Sequence, residues 1–231
     1  MIKGFSLIEV FVTLSLSLVI LSIVLYSVAE STKYSKKITG NQQVMESIFH
    51  TIDSLRSDLT KCGMRLQEAS KHFDISLFEN SGSSFKLVYG LQSEALKAEA
   101  YKGETTVSID RNDYFKKRKT VLIYNIENKT FEFNEIEEID GDTLVLALAL
   151  QNDYPEKSCI VVLKRVEYKL YDKENVLKRK LDRGYFQPIV ENVSDFSVTF
   201  FPDANSVLYR VEVNEREQIR GYIFLTNMVQ K

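Results

Sequence analysis

The sequence predicts an α+β protein. A long N-terminal helix, transmembrane in its first half and amphipathic in its second, packs on an antiparallel β-sheet ectodomain. Residues 10–29 contain no charged residue, and apolar residues then recur at helical spacing over residues 44–66. Beyond residue 70, period-two patterns rich in β-branched and aromatic residues fill the chain, as is typical of strands.

The composition is that of a globular protein and excludes several classes. Of 231 residues, 44% are hydrophobic and 27% are charged, with 30 Lys and Arg against 32 Asp and Glu. These values exclude collagen-like, low-complexity and wholly disordered chains. A net charge of −2 argues against a dedicated nucleic-acid-binding domain. Two cysteines are too few for a disulfide framework or for a zinc site of four thiolates.

Residues 10–29 are the most apolar part of the chain. Their polar members are hydroxyls, which can bond back to their own helix. At 1.5 Å per residue the segment is about 30 Å long, the thickness of a bilayer's hydrocarbon core, and it predicts one transmembrane helix. A secretory signal peptide is the alternative, because Lys3 supplies a basic start and the small residues Ser27 and Ala29 resemble a cleavage site before Glu30. Signal peptides usually have apolar regions of only about 7–15 residues, which favours the transmembrane helix.

A short motif precedes this segment. Gly4 and Phe5 follow a basic start, and Glu9 lies four residues after Phe5. The motif resembles the leader and processing site of type IV pilins and their pseudopilin relatives. The resemblance implies that a prepilin peptidase cuts between Gly4 and Phe5 and N-methylates the new amine of Phe5.

The same resemblance divides the chain into three parts. Residues 1–4 would be a leader peptide, residues 5–30 a transmembrane and assembly helix, and residues 31–231 an extracytoplasmic pilin-like domain. In that domain the helix would continue to about residue 68, and the rest would be mainly β. The protein would cross the inner membrane once, with its N-terminus in the cytoplasm and its ectodomain in the periplasm or outside the cell.

Glu9 has a physical role in such an arrangement. It lies one helical turn from Phe5, so its carboxylate and the new amine would sit at the same depth in the membrane. An unpaired carboxylate at the centre of a bilayer costs roughly 2.5–3.5 kcal/mol, and an opposite charge from a neighbouring subunit relieves that cost. The resemblance implies that Glu9 recruits the next subunit through its neighbour's amine.

Two further features indicate a minor subunit. Major pilins usually carry a helix-kinking proline where this chain has Tyr26, and no proline precedes Pro155. Residues 55–63 resemble a segment of the larger minor pilins of the PilW type and of the J-type minor pseudopilins of type II secretion. The resemblance implies a minor pilin that helps initiate or cap a type IV pilus at its tip, with other minor and major pilins or pseudopilins as partners. A J-type minor pseudopilin is the first alternative, and an adhesin or DNA-binding module displayed on a filament is the second.

After the apolar segment, residues 30–43 are polar, and Gly40 with Asn41 predicts a bend or break. An apolar stripe then follows at spacings of three and four residues, which predicts a helix packed on a sheet. The residues of this stripe are Val44, Ile48, Ile52, Leu55, Leu59, Cys62 and Leu66.

Ten strands are predicted beyond residue 70, bounded by turn residues. Their ranges are 84–91, 105–109, 120–126, 130–136, 143–150, 159–171, 176–181, 193–201, 207–213 and 218–225. Residues 94–100 are predicted as a short helix. Alternating leucines in 143–150, with Val and Ala between them, predict a strand covered on both faces.

The two cysteines leave two alternatives open. Cys62 lies on the apolar stripe and Cys159 begins a predicted strand, so a disulfide between helix and sheet is one of them. Such a bridge would persist outside the cytoplasm and would add about 4–5 kcal/mol in the chain-entropy model. Two separate core thiols are the other, because free cysteine is a common buried residue.

No motif predicts catalysis or a cofactor. His50 and His72 have no cysteine or carboxylate at metal-ligand spacing, and the chain lacks a phosphate-binding glycine loop and a nucleophile elbow. We therefore expect neither an enzyme nor a metal site. A basic run is the candidate DNA contact if the filament serves uptake, although a solvated loop is the simpler interpretation. Its residues are Arg111, Tyr114, Phe115, Lys116, Lys117, Arg118 and Lys119.

Overall fold

The structure is a computed structural model that describes residues 7–110, 113–213 and 217–228. Within that range the side chains of residues 7, 9, 36–41, 43, 44 and 217 are not described. The chain divides into two compact units, Met1–Phe49 and His50–Lys231. The predicted leader, residues 1–4, lies outside the described residues.

Helix α1 covers Leu7–Lys61, 55 residues in all. The predicted break at Gly40 and Asn41 is wrong, since both residues are helical. A glycine inside a helix costs only about 1 kcal/mol relative to alanine, which a long and otherwise favourable helix tolerates. The helix ends at Lys61 and not near residue 68, because Gly63 adopts a left-handed conformation at φ 74°. A short helix α2 follows at Gln67–Phe73.

Within the second unit, the last turns of α1 bury the apolar stripe. Ile52, Leu55 and Leu59 are buried, whereas Asp53 and Arg56 are exposed. The stripe continues past the end of the helix, where Cys62 and Leu66 are also buried. The prediction of a helix packed by one face is therefore confirmed for this part of α1.

The β-domain contains twelve strands among the described residues, and every pair that forms a ladder is antiparallel. The strands are β1 Phe78–Asn80, β2 Ser84–Ala95, β3 Thr106–Ser108, β4 Thr120–Asn125, β5 Thr130–Asp140, β6 Thr143–Leu146, β7 Cys159–Tyr171, β8 Val176–Leu181, β9 Gln187–Glu191, β10 Val193–Phe201, β11 Ser206–Val213 and β12 Glu217–Phe224. Nine of them form one sheet in the order β1-β2-β7-β4-β5-β6-β3, with β8 and β9 branching from β7. The other three form a second sheet in the order β10-β11-β12. An N-terminal apolar helix followed by antiparallel sheet confirms the α+β class.

Aromatic side chains join the two sheets. The ring of Phe85 on β2 stacks on Tyr168 of β7, with centroids 4.9 Å apart, and lies 5.9 Å from Phe196 on β10. All three rings are fully or almost fully buried. Burial of three aromatic rings makes a major contribution to the stability of the fold.

A second hydrophobic cluster lies at the other end of the main sheet. Its buried members are Leu96, Ala100, Val107, Ile109, Phe115, Val121, Ile123, Ile136, Leu144, Leu146, Leu150, Tyr154, Ile160 and Val162. The predicted helix at residues 94–100 is wrong: β2 runs to Ala95, and Leu96 and Ala100 make β-bridges to Ile109 and Tyr154. These bridges bury both residues in the cluster, which a lone turn of helix would not do.

The strand predicted at residues 143–150 is shorter than expected. β6 ends at Leu146, and Leu148 beyond it is 62% exposed. Within β6 only Leu144 and Leu146 are buried, whereas Thr143 and Val145 are half-buried, so the second face is covered only in part. The Asn134 side chain accepts a hydrogen bond from the Leu148 N–H at 3.2 Å and donates one to the Leu148 carbonyl at 2.8 Å. The amide thus takes the backbone groups that a further ladder would have used.

Candidate functional site

The apolar part of α1 is the candidate functional site. Residues Val10–Ser35 contain an 18-residue window with a mean hydropathy of 2.4 and are long and apolar enough to cross a membrane. Their 26 residues extend about 39 Å as a helix, compared with roughly 30 Å of bilayer hydrocarbon. The uncharged part, residues 10–29, is about 30 Å long and matches that thickness, as a single-pass anchor requires.

The side chains of this segment are not covered by its own unit. From Ile8 to Val28 the large apolar side chains are at least half exposed, from Val24 at 50% to Phe11 at 74%. A soluble monomer rarely exposes an apolar surface this continuous, and such surfaces contact lipid or another protein. The exposure extends around the helix, which is typical of a membrane span and not of a one-sided amphipathic helix.

Three serine hydroxyls in the segment are satisfied without water. The side chains of Ser15, Ser17 and Ser22 each donate a hydrogen bond to the carbonyl four residues earlier, at 2.9, 2.7 and 2.8 Å. A hydroxyl bonded in this way adds little to the cost of moving a helix into hydrocarbon. These three serines, which interrupt the hydrophobic run, are therefore compatible with a span.

The predicted processing residues lie at the edge of what the structure describes. Gly4 and Phe5, the two residues of the predicted cleavage site, lie outside the described residues. Glu9 lies in helical backbone one residue before the Val10–Ser35 segment, but its side chain is not described. The assignment of these three residues stays a prediction.

A buried charge cluster fixes the end of α1 in the second unit. The Asp58 side chain is 4% exposed and lies 2.6 Å from the Arg179 guanidinium of β8. It also accepts a hydrogen bond at 2.7 Å from the hydroxyl of Tyr168 on β7. The Arg179 guanidinium is 5.8 Å from the Tyr168 ring centroid, within range of a cation–π contact. We call Asp58, Tyr168 and Arg179 the helix clamp.

The electrostatics of the helix clamp depend on its burial. Burial, and then the negative charge of Asp58, raise the pKa of the Tyr168 hydroxyl well above its usual value. Burial and the same carboxylate raise the pKa of Tyr89 to about 12. The clamp joins α1 to two strands through charge-assisted hydrogen bonds. Asp58 follows Leu55 by three residues, which places it on the apolar face, and this spacing is the signal that could have revealed the clamp in the sequence.

The candidate disulfide between Cys62 and Cys159 is wrong, because both cysteines are free thiols. The N–H of Gly63, beside Cys62, donates to the Val88 carbonyl at 3.0 Å, whereas Cys159 pairs with Ala95, seven residues further along β2. Seven residues of strand span about 20 Å, and a disulfide requires Cα atoms within about 7 Å.

Each thiol has its own surroundings. The Cys62 thiol donates to the Leu77 carbonyl at 3.3 Å and lies 3.9 Å from the sulfur of Met228. Burial raises the pKa of Cys62 to about 12. Burial also raises the pKa of Cys159, and its contact with Tyr124 opposes that shift. Both are protonated at neutral pH, so neither is activated as a nucleophile.

Of the two aromatic residues in the basic run, Tyr114 is 52% exposed and Phe115 is buried. Phe115 is 4% exposed and belongs to the second hydrophobic cluster. Lys119 is paired with Asp182 at 2.7 Å. Lys116, Lys117 and Arg118 are exposed, while Arg111 lies outside the described residues. Three exposed charges on a turn are typical of a solvated loop.

A groove of about 570 Å³ crosses one face of the main sheet. Phe73, Phe131 and Phe133 form one side of it, with the Phe73 and Phe131 centroids 5.0 Å apart. Four charged residues of alternating sign line the groove on neighbouring strands β1, β2, β7 and β8. Each lies opposite the next in the strand register: Glu79, Lys86, Glu167 and Lys180. Among the described residues no group of three or more His, Cys, Asp or Glu side chains is arranged to hold a metal ion.

Comparisons with known proteins give limited similarity. No protein-family model matches the chain. A protein of Aquifex aeolicus (strain VF5), named only as uncharacterized, is 31% identical over 97 residues, which are 42% of this chain and 64% of the Aquifex protein. The match therefore spans less than two thirds of that relative. A tailspike of Acinetobacter baumannii bacteriophage AP22, solved with a capsular saccharide, aligns with a TM-score of 0.29 and 14% identity over 34% of this chain and 15% of the tailspike, which is too weak to support an argument.

Proposed function

We propose that this chain is a minor pilin: a type IV pilus subunit that is cut after Gly4, anchored in the inner membrane by α1, and used to initiate or cap filament assembly. The observation that carries the proposal is the continuity between the motif and the helix. Glu9 immediately precedes Val10–Ser35, whose apolar side chains are exposed wherever they are described. An exposed apolar helix with one carboxylate near its start is suited to pack against other helices in a membrane or filament.

Charge pairing supplies the mechanism of assembly. Cleavage after Gly4 creates a cation on Phe5, and N-methylation retains it. A carboxylate and an amine in hydrocarbon each seek an opposite charge, so Glu9 of one subunit pairs with the amine of the next. A pair of this kind sets the axial register of packed helices more than it stabilises them.

The mature N-terminus tests the processing step. Mass spectrometry of the protein from membranes of its host is expected to find N-methyl-Phe5 as the first residue. A mature protein that begins at Glu30 would mean a secreted domain with an ordinary signal peptide. A chain that retains Met1 would show that the motif is not processed. Either result contradicts the proposal.

Filament incorporation tests the role of Glu9. We expect Glu9→Gln to be cleaved after Gly4 but to reach less than about a tenth of the wild-type level in sheared filaments, since losing one charge of a buried pair costs more than 1.4 kcal/mol. Glu30→Gln is the matched control, because Glu30 lies at the far end of the apolar run. Equal incorporation of wild type and Glu9→Gln would contradict the mechanism.

Deletion of the gene distinguishes the two machines to which the subunit could belong. Loss of surface pili with normal protein secretion supports the minor pilin. Loss of secretion with normal pili would instead identify a minor pseudopilin of the J type and would overturn the pilus assignment.

A further inference from the structure

Strand β12 is an open edge of the second sheet. It pairs with β11 on one side, and no strand of the described chain pairs with its other side. The N–H of Leu225 donates to the Asn205 carbonyl at 2.6 Å, so Leu225 points its backbone groups toward β11. Because these groups alternate along a strand, those of Arg220, Tyr222 and Phe224 point away from the sheet. They form a row of donors and acceptors that another strand can use.

The exposed side chains of β12 are unusually apolar for an edge. Tyr222 is 66% exposed and Phe224 is 68% exposed. Phe201 of β10, itself 39% exposed, belongs to the same cross-strand row as Phe224, with Ser206 between them. Cross-strand partners share one face of the sheet, so aromatic side chains lie together on the outer face beside the open edge.

Several of the usual protections of an edge strand are missing from Glu217–Phe224. Natural edges are shortened, bulged or interrupted by Lys and Pro, which prevents pairing with other chains. The eight residues of β12 include neither Lys nor Pro, and their register with β11 is unbroken. An edge that is long, regular and aromatic is suited to accept a further strand.

The charge beside this edge indicates what kind of strand fits. Arg220 lies directly opposite Arg210 in the β11–β12 register. Arg210 is neutralised by Asp195 at 3.6 Å and Glu212 at 3.0 Å. Arg220 forms no ion pair with any carboxylate whose side chain is described, a set that does not include Glu217. An acidic side chain from a partner would remove the repulsion between two arginines that face each other.

We propose that β12 binds an extended segment of another polypeptide, which adds to the sheet as an antiparallel strand. The segment carries an acidic side chain opposite Arg220 and apolar side chains opposite Tyr222 and Phe224. Main-chain hydrogen bonds supply affinity and the side chains supply specificity, as in other cases of strand addition. These properties of β12 do not depend on what α1 assembles with.

Charge complementarity favours such a partner over a second copy of this chain. Two copies of β12 paired about a two-fold axis would place Arg220 opposite Gln218, Arg220, Tyr222 or Phe224 of the other copy, according to the register. Among residues 218–224 no acidic residue is available to either arginine. A second copy would therefore cover the aromatic rings but leave both charges uncompensated.

A synthetic peptide tests the proposal on the full chain in lipid nanodiscs. The probe is a fluorescent acetyl-Thr-Thr-Val-Thr-Val-Thr-Asp-Thr-amide, which in antiparallel register places Val, Val and Asp opposite Phe224, Tyr222 and Arg220. Fluorescence anisotropy is expected to show saturable binding, with empty nanodiscs as the control. Exchange of Asp for Lys in the peptide is expected to weaken binding about tenfold, and the Arg220→Glu variant is expected to reverse that preference.

A proline substitution tests the edge itself. Tyr222→Pro removes an outward N–H and no hydrogen bond to β11, so the sheet keeps its ladder. Tyr222→Thr is the matched control, because it removes the same ring and keeps the N–H. We expect Tyr222→Pro to bind the peptide about tenfold more weakly than Tyr222→Thr, and thermal unfolding of both variants checks that they are folded.

Three results would overturn the proposal. One is the absence of saturable binding by the wild-type chain. Another is equal affinity of Tyr222→Pro and Tyr222→Thr together with no charge preference in wild type or Arg220→Glu. The third is a concentration-dependent dimer in sedimentation that Tyr222→Pro abolishes and the peptide does not disrupt, because a second copy would then occupy the edge.

Discussion

The two ends of α1 show two ways for a helix to use apolar residues. In Val10–Ser35 the apolar side chains are exposed, and serines bond to carbonyls of their own helix. In the last turns, Leu55 and Leu59 are buried, and Asp58 bonds to two strands. The first end is more apolar and yet less buried. Hydrophobicity alone therefore does not predict burial within the chain, and an apolar helix left uncovered needs lipid or another protein around it.

Removal of residues 1–35 is expected to have the largest effect on this comparison. The remaining chain should lose all affinity for membranes and stay folded, because the cores of the second unit are built from residues after His50. Flotation with liposomes measures the first property, and far-UV circular dichroism with a cooperative thermal transition measures the second. A truncated chain that still floats, or that is unfolded, would contradict the division into an anchor and an independent domain.

Loss of the helix clamp should have the next largest effect. Asp58→Ala leaves Arg179 without its carboxylate, and we expect the free energy of unfolding of the truncated chain to fall by about 3 kcal/mol in urea titrations. Asp53→Ala, on the exposed face of the same helix, is the control and should change it by less than about 0.5 kcal/mol. Equal effects of the two variants would show that the clamp is not what holds this end of α1.

Two glycines test how tightly the chain packs just after the end of α1. Gly63 and Gly82 both have positive φ, 74° and 70°. A Cβ on Gly63 would lie 2.7 Å from the Asn227 carbonyl oxygen, whereas one on Gly82 would meet nothing within 4 Å. Gly82→Ala should therefore cost only the left-handed strain, about 1 kcal/mol, and Gly63→Ala about 2–3 kcal/mol through the added clash. Equal losses in urea titrations would mean that the backbone at Asn227 moves aside without cost.

Much of the fold could be predicted because local pattern and tertiary structure agree. The strands after residue 70 alternate as their faces require, and Leu55 and Leu59 recur at helical spacing. The failures occur where a distant contact decides the outcome. Leu148 leaves its strand because the Asn134 amide, fourteen residues earlier, binds its backbone. Leu96 joins β-bridges because strands that are remote in sequence lie beside it.

The candidate site divides in the same way. The apolar span could be read from composition alone, since a membrane helix needs only length and hydrophobicity. The helix clamp could not, because Asp58 lies more than a hundred residues before Tyr168 and Arg179, and only the fold brings it to them. The separation of Cys62 from Cys159 likewise depends on the β2–β7 register, which the sequence does not specify.

The smallest effect is expected from alkali, at the buried Cys62 thiol near the end of the apolar stripe. Burial raises the pKa of Cys62 to about 12, from 9.0 when unburied. Above pH 9 the unfolded chain loses this proton while the folded chain keeps it. The contribution of the thiol to the free energy of unfolding is therefore complete below pH 9 and is lost as the pH rises toward 12. The slope for one such group approaches about 1.4 kcal/mol per pH unit.

Cys62→Ala isolates this contribution, because the cavity it leaves costs the same at every pH. The free energy of unfolding of the truncated wild type should fall more steeply than that of Cys62→Ala between pH 9.5 and 10.5, by about 1 kcal/mol per pH unit. Tyr89 and Tyr168, whose pKa values are also raised, steepen both curves equally and cancel in the difference. Parallel curves would mean that Cys62 ionises in the folded chain as readily as in the unfolded one. The end of the stripe would then be open to water, and the contrast between a covered and an uncovered end of the apolar pattern would fail at that residue.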